Sequence, residues 1–448
     1  MRLVRGLPAA TFRLSPLLIL LGLSLSGCGN DSITDSPPIA QDTALTVDDF
    51  ETATSCQTCH PVHFEQWSGS MHAYALKDPT FAALREIGQS LYINALDGAC
   101  IQCHSVVARE TGAMPWGPFD YDALPPQVQE GVGCDVCHVV SGIRSLSGAD
   151  MIFSPGETKF GTIADPVPNS AHKSEFNSLY SSSEYCGSCH DLVTGDGLQL
   201  EAVFREWRAG GFAVTGKTCN DCHMPDSLGS AVPGGPERTL HDHSMVGADL
   251  ALIPFPNRPE QLQKVTDMLR SALTVEWDLP PTVSAGDTVD LQVRLINDLT
   301  GHNVPTGVPF IRQMWIAIEV FDDNSLIYTT GELDANGDLK DENSAFAESE
   351  IDEDLFNAQA TMFRADSVKT GLTWEARYLD NPSIVAGETR PVDYRIPVPP
   401  GAAGPLRVEV RLRFRSFPPY VIRALGQDAL LPIDIIDMWE DDRTVAIL

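Results

Sequence analysis

The hydrophobic rhythm of the chain changes four times, and each change marks a different kind of element. An unbroken apolar run, Leu14 to Leu25, follows Arg2, Arg5 and Arg13; it is too short to span a bilayer and has the form of a secretory signal. Residues 28–54 are polar, contain Pro37-Pro38 and have no periodicity, so they predict a flexible tether. From 55 to 255 no helical or strand period is sustained; short helices joined by Gly- and Pro-rich links such as "GAMPWGPF" and "VPGGPE" are expected. Residues 256–274 then predict a connecting helix, because Pro259 stands at its start and Leu262, Val265, Met268, Leu269 and Ala272 share one face. Beyond it the period becomes two: Val289, Leu291, Val293 and Leu295; Met314, Ile316, Ile318 and Val320; Leu406, Val408, Val410, Leu412 and Phe414 alternate with other residues. Residues 275–448 therefore predict an antiparallel β-sandwich, and the chain as a whole an α+β protein.

A chain of 448 residues with 43% hydrophobic and 20% charged residues is a folded protein of two or three domains. Its 30 Lys+Arg against 61 Asp+Glu, a net charge of −31, exclude a surface built to hold nucleic acid. The apolar run ends in Leu25-Ser26-Gly27-Cys28, which resembles a bacterial lipobox. That resemblance implies cleavage of residues 1–27, acylation of Cys28 and a membrane held through its lipid chains, at about 0.8 kcal/mol per buried CH2. Gly29 after the cysteine implies the outer membrane under the sorting rule of such lipoproteins. Loss of Arg2, Arg5 and Arg13 leaves the mature chain still more acidic, so its partners are expected to present basic docking surfaces.

The other ten of the 11 cysteines fall into five copies of Cys-x-x-Cys-His: Cys56/Cys59/His60, Cys100/Cys103/His104, Cys134/Cys137/His138, Cys186/Cys189/His190 and Cys219/Cys222/His223. This is the pattern of covalent c-type haem attachment, in which two thiols take the vinyl groups of one porphyrin and the adjoining imidazole becomes an axial ligand. Structural zinc needs two such pairs per ion, which five pairs cannot fill evenly, and neither zinc nor disulfides explain the histidine after every pair. The expected cofactor is five haem c, and the export signal agrees with it. About 34 residues per motif are too few to build a side-chain core around each, so the porphyrins are expected to serve as core.

Six histidines remain: His63, His72, His172, His241, His243 and His302. Five irons need at most five distal ligands, so bis-His ligation throughout is arithmetically open, and a filled iron favours electron transfer over catalysis. Met224 beside His223 is expected to pack. A helix from Pro61 to Tyr74 would carry His72 roughly 18 Å from His60, so His72 must serve another haem. His63, one turn from His60, either serves another haem or lines a cleft. His241 and His243 flank Asp242 and would point to opposite sides of an extended segment, so one or both are candidates.

The segments "CHPVHFEQWSGSMHAYA" (59–75), "NSAHKSEF" (169–176), "CNDCHMP" (219–225) and "RTLHDHSM" (238–245) are similar to the multihaem cytochromes related to the tetrahaem electron carrier of ammonia oxidisers. The resemblance covers roughly residues 55–250. It implies closely stacked haems, His72 and His172 as distal ligands, and one or both of His241 and His243. A fifth motif and a long C-terminal extension depart from that carrier. The loop "NDLTGHNVPTGVPF" (297–310) resembles Gly-His-x-x-Pro-Thr-Gly loops found beside haem domains, which implies His302 as a ligand supplied by the β-domain.

Two acidic features stand apart. Asp334, Asn336, Gly337, Asp338, Asp341 and Glu342 partly resemble a calcium loop, although an Asx turn accounts for them as well. Glu348, Glu350, Asp352, Glu353 and Asp354 read as a solvated loop, with docking of a Lys-rich redox partner as the alternative. The functional expectation is an electron carrier of the cell envelope. Two alternatives are a multihaem reductase of a small oxyanion or nitrogen compound with one open haem, and a subunit of a haem filament or surface complex. No Cys-x-x-Cys-Lys motif is present, which removes a lysine-ligated site of the nitrite-reductase type.

Overall fold

A computed structural model describes residues 44–91, 97–114, 119–344 and 350–448. The signal, Cys28 and most of the tether lie outside the described residues. Residues 45–448 form one compact unit in which the haem-motif region and the β-region are continuous.

The five motifs sit on short helices: Ala53–Gln57, Asp97–His104, Cys134–His138, Ser183–Gly187 and Asn220–His223 carry or adjoin them. Two expectations for this region are revised. The end of the tether is folded: Val47–Asp49 is a 3-10 turn with a reciprocal Thr46/Asp49 cap, and Phe50 is buried beside Phe153. The predicted helix from 61 to 74 is two, Pro61–Ser68 and Met71–Tyr74. Gly69 closes the first, and Ser70 caps the second by accepting from the Ala73 N–H at 3.3 Å. The Gly69 break is held in place from outside, because a Cβ there would lie 3.0 Å from that of Asn257.

The connecting helix is Arg258–Arg270, with Val265 and Leu269 buried against the β-region. Two sheets follow. One has the order Thr282–Val283, Ile436–Ile447, Leu406–Arg415, Gln313–Asp322, Ser325–Thr330; the other is Thr389–Pro397, Thr288–Ile296, Thr274–Asp278. All pairings in them are antiparallel except Thr282–Val283 on Ile436–Ile447. The alternating residues of Thr288–Ile296 and Leu406–Arg415 point inward as the pattern predicts, and Val289, Leu295, Leu406 and Val408 have no exposure. Gln313–Asp322 is buried on both faces because Leu333, Leu339, Leu355 and Ile435 pack on its outer residues Trp315 and Ala317, while residues 356–358 extend its edge, with Ala358 N–H donating to Met314 O at 2.8 Å.

The two acidic features are structural. Asp334 Oδ1 accepts from the Asn336 and Asp338 N–H groups, and Asp338 pairs with Arg423, so these carboxylates form an Asx turn and an ion pair rather than a calcium cage. No group of three or more potential metal ligands of the carboxylate, Cys or His type occurs among the described residues. Asp352 and Asp354 are not simply solvated: they accept from Thr330, Gly331 and Tyr328 at the end of one strand. Glu348 lies outside the described residues.

Candidate haem-binding site

One continuous cavity of about 3320 Å³ runs through the motif region, and all ten motif cysteines and all eleven histidines line it. A drug-sized ligand needs roughly 300–1,000 Å³, so the space suits several large groups.

The imidazoles are arranged in opposed pairs. His60 faces His172 with ring centres 6.2 Å apart, His190 faces His72 at 6.3 Å, His138 faces His243 at 6.2 Å and His223 faces His302 at 6.2 Å. Two imidazole–metal bonds of about 2 Å, plus about 1 Å from each nitrogen to its ring centre, total about 6 Å. The four separations match a single metal atom between each pair.

Local chemistry prepares these rings for that role. His60 Nδ1 lies 2.8 Å from Ala231 O, His104 Nδ1 2.9 Å from Ala75 O, His138 Nδ1 2.7 Å from Phe160 O and His223 Nδ1 2.5 Å from Val246 O. On the opposite side His172, His243 and His302 reach the carbonyls of Lys173, His241 and Asn303 at 2.9–3.0 Å. A carbonyl at Nδ1 fixes the proton there and leaves the Nε2 lone pair for a metal. Burial also keeps the rings neutral: it lowers His72 to about 4, with His190 adding to the effect, and His243 to about 3, with His138 and His63 adding. His138, His190, His223 and His302 shift the same way for the same reason.

Of the six non-motif histidines, four stand opposite a motif imidazole and two do not. His241 belongs to the hairpin strand Glu237–His241, where its ring lies 2.8 Å from the Asp226 carboxylate, off the line of a hydrogen bond. His243, two residues on, is the one facing a motif ring. His63 meets His60 and His243 edge-on, with centres 6.0 and 4.7 Å away and planes near perpendicular, so it lines the cleft beside two pairs. His104 has no opposing imidazole. Phe81 instead covers its ring face at 4.2 Å and 13°, which leaves no room for an atom between them. Met224 makes no polar contact in the site; the methionine that does is Met245, whose sulfur lies 2.7 Å from His72 Nδ1.

The attachment sites also touch. Cys56 lies against Cys134, Cys103 against Cys189 and Cys186 against Cys219, and Cys137 lies within electrostatic reach of Cys189. The first site thus adjoins the third, the third adjoins the fourth, and the second and fifth both adjoin the fourth. Among the described residues, Cys59 and Cys222, in the first and fifth sites, are the exposed cysteines.

Residues 55–139, which contain the first three motifs, match the family model of cytochrome c554 and c-prime. The fold is similar to that of a penta-haem cytochrome c552 from Thermochromatium tepidum. Identity is 20% and the TM-score 0.63, with 89% of this chain and 99% of that chain covered. No curated protein sequence matches. The likeness in structure extends the shared fold across the β-region, although the family match ends at residue 139.

No residue pattern pointed to Phe81, Met245 or the orienting carbonyls of Ala75, Phe160, Ala231 and Val246. A carbonyl carries no side-chain signature, so only the packed backbone reveals it.

Proposed function

We propose that this chain is a pentahaem c-type cytochrome that carries electrons between redox proteins of the bacterial envelope. Four opposed imidazole pairs at 6.2–6.3 Å carry the reading. The ten motif cysteines would hold five haems; His60/His172, His138/His243, His190/His72 and His223/His302 would ligate four of them, and His104 the remaining one. Haem supplies one-electron exchange at iron. The protein's share is to set the attachment sites side by side, to turn Nε2 toward the metal in seven of these histidines through a carbonyl at Nδ1 and in His72 through the Met245 sulfur, and to exclude water from the inner sites. Exposed Cys59 and Cys222 make the first and fifth sites the places where partners approach.

Asp48, Asp49 and Glu51 line the cavity beside Cys56 and Cys59, and in a chain of net charge −31 they favour a basic partner whose binding weakens with salt. Cys28 anchors the protein through lipid, on the outer membrane.

A second reading rests on His104. An iron held there from one side alone is open to a small ligand, which allows reduction of a small oxyanion or nitrogen compound at that site. His302 faces His223 of its own chain, which weighs against a filament in which it would complete a neighbour's haem.

Carbon monoxide titration of the dithionite-reduced protein tests both statements. A pyridine haemochrome assay should give about five haems per chain, and CO uptake should saturate at about one equivalent. No uptake would refute the open site. Uptake of several equivalents would refute the four ligand pairs.

A further inference from the structure

The helix Val203–Ala209 lies in sequence between the fourth and fifth motifs, and in space it is bound on three sides. The Phe204 N–H donates to His190 O at 3.2 Å, which ties the helix to the fourth site. Trp207 Nε1 donates to Lys217 O at 2.9 Å, just before the fifth motif. Between them, Glu206 turns toward the β-region. Its Oε2 accepts from the Asn303 N–H at 3.1 Å and from Thr306 Oγ1 at 2.5 Å, and its Oε1 accepts from Asn303 Nδ2 at 3.0 Å.

These three donors belong to the loop that presents His302. The contact is tight at its edges: a Cβ on Gly210 would lie 2.8 Å from Gly301 O, and one on Gly301 would lie 3.0 Å from Trp207 Cδ1. Within the loop, Asn297 Nδ2 and Thr300 Oγ1 hold the His302 carbonyl at 2.8 and 2.7 Å. The β-region therefore stiffens the loop internally, while from the haem side the loop is met by close packing at Gly301 and, in side-chain hydrogen bonds, by one carboxylate.

We propose that Glu206 is the positioning residue for His302: by gripping Asn303 and Thr306 it holds the β-region's imidazole opposite His223, so ligation by His302 of a haem held at the fifth site would depend on this carboxylate. The inference rests on the reading of His302 as a ligand and goes beyond it in naming what controls that ligation. A carboxylate is suited to the task because it is an acceptor at both oxygens and can meet three donors, whereas a backbone carbonyl meets at most two. Glu206 does not touch the imidazole itself, so its effect is on where the loop rests and not on the basicity of the ligand.

The test compares Glu206→Ala, Glu206→Gln and His302→Ala in the haem-loaded full chain, by EPR of the oxidised protein and CO uptake of the reduced protein. His302→Ala should raise CO uptake by about one equivalent per chain and double the high-spin signal. Glu206→Ala should do the same in most molecules and shift one haem potential of the five. Glu206→Gln should keep the wild-type spin state, because the Gln oxygen can take the Oε2 bonds while the Asn303 amide turns to face its nitrogen. That rescue is not expected of a group that merely contributes to folding. If Glu206→Ala is not recovered as a haem-loaded chain, Thr306→Val carries the test and should give a partial rise in high-spin signal. Wild-type spectra in Glu206→Ala or, in its place, Thr306→Val, alongside a converted His302→Ala, would overturn the proposal. Wild-type spectra in His302→Ala would instead overturn the reading of His302 as a ligand.

Discussion

The two halves of this protein bury their interiors by different means. In the β-region, inward side chains of two sheets meet directly: Leu291, Val293 and Leu295 face a second layer containing Ile316, Ile318, Val410 and Leu412, all at most 1% exposed. In the motif region the apolar clusters are smaller: the main one, built from residues such as Phe50, Leu76, Val107 and Val140, packs against Cys100 and Cys189 and a second against Cys134, while all ten motif cysteines and eleven imidazoles line one large cavity. The first half is a scaffold completed by what it binds; the second is complete by its own side chains. The β-region reaches the cavity through one loop, which brings His302 to 6.2 Å from His223, the same separation that the motif region achieves by itself for His60/His172 and His138/His243.

Three experiments test the contrast, from the largest expected effect to the smallest. Chain produced without haem attachment should lose nearly all protease protection between residues 55 and 255 while 275–448 survives as a resistant fragment, because only the latter fills its own core. Limited proteolysis with mass spectrometry reads this directly, and a resistant motif-region fragment would break the comparison. In the holoprotein, Leu412→Ala should cost about 2–5 kcal/mol in urea unfolding of the β-region. The spectra of the haems at His60, His104 and His138 should stay unchanged, and a loss of their signals would show that the halves unfold as one.

The smallest effect concerns Glu130, whose carboxylate accepts from the Ala53 N–H at 2.8 and 3.0 Å and packs the first motif helix onto the third site. Burial nevertheless pushes it up to about 7 from an ordinary 4.5, outweighing that hydrogen bond and the Lys77 charge. A raised carboxyl stabilises the fold most below its unfolded value, and the contribution is lost as pH rises through the folded one. The melting temperature of wild type should therefore fall, relative to Glu130→Gln, as pH rises from about 5 to about 8. A constant difference across that range would contradict the raised value.

Much of the molecule was legible from residue order because the signals are local. Cysteine spacing within five residues identifies each attachment unit, and a period of two over Thr288–Ile296 and Leu406–Arg415 identifies strands and their inward faces. The misreadings occur where local pattern and tertiary contact compete. A helix through Gly69 and Ser70 was plausible from composition, but Asn257 and a new N-cap break it there. Residues 45–54 look like linker, yet Phe50 finds a buried site beside Phe153. Six spare histidines for five irons left the pairings open, and only the packing shows four of them opposite motif rings, His63 edge-on to His60 and His243, and His241 beside Asp226.

What the sequence by itself determined is the number and chemistry of the attachment units, the acidity of the surface and the β-character of the last third, since each depends on neighbours along the chain. Only the tertiary structure decided which imidazole faces which, that His104 faces none, and that Glu206 reaches across to the His302 loop. Those are contacts between residues far apart in the chain. Their distances are set by how helices, hairpins and sheets pack, and no spacing within a motif encodes them.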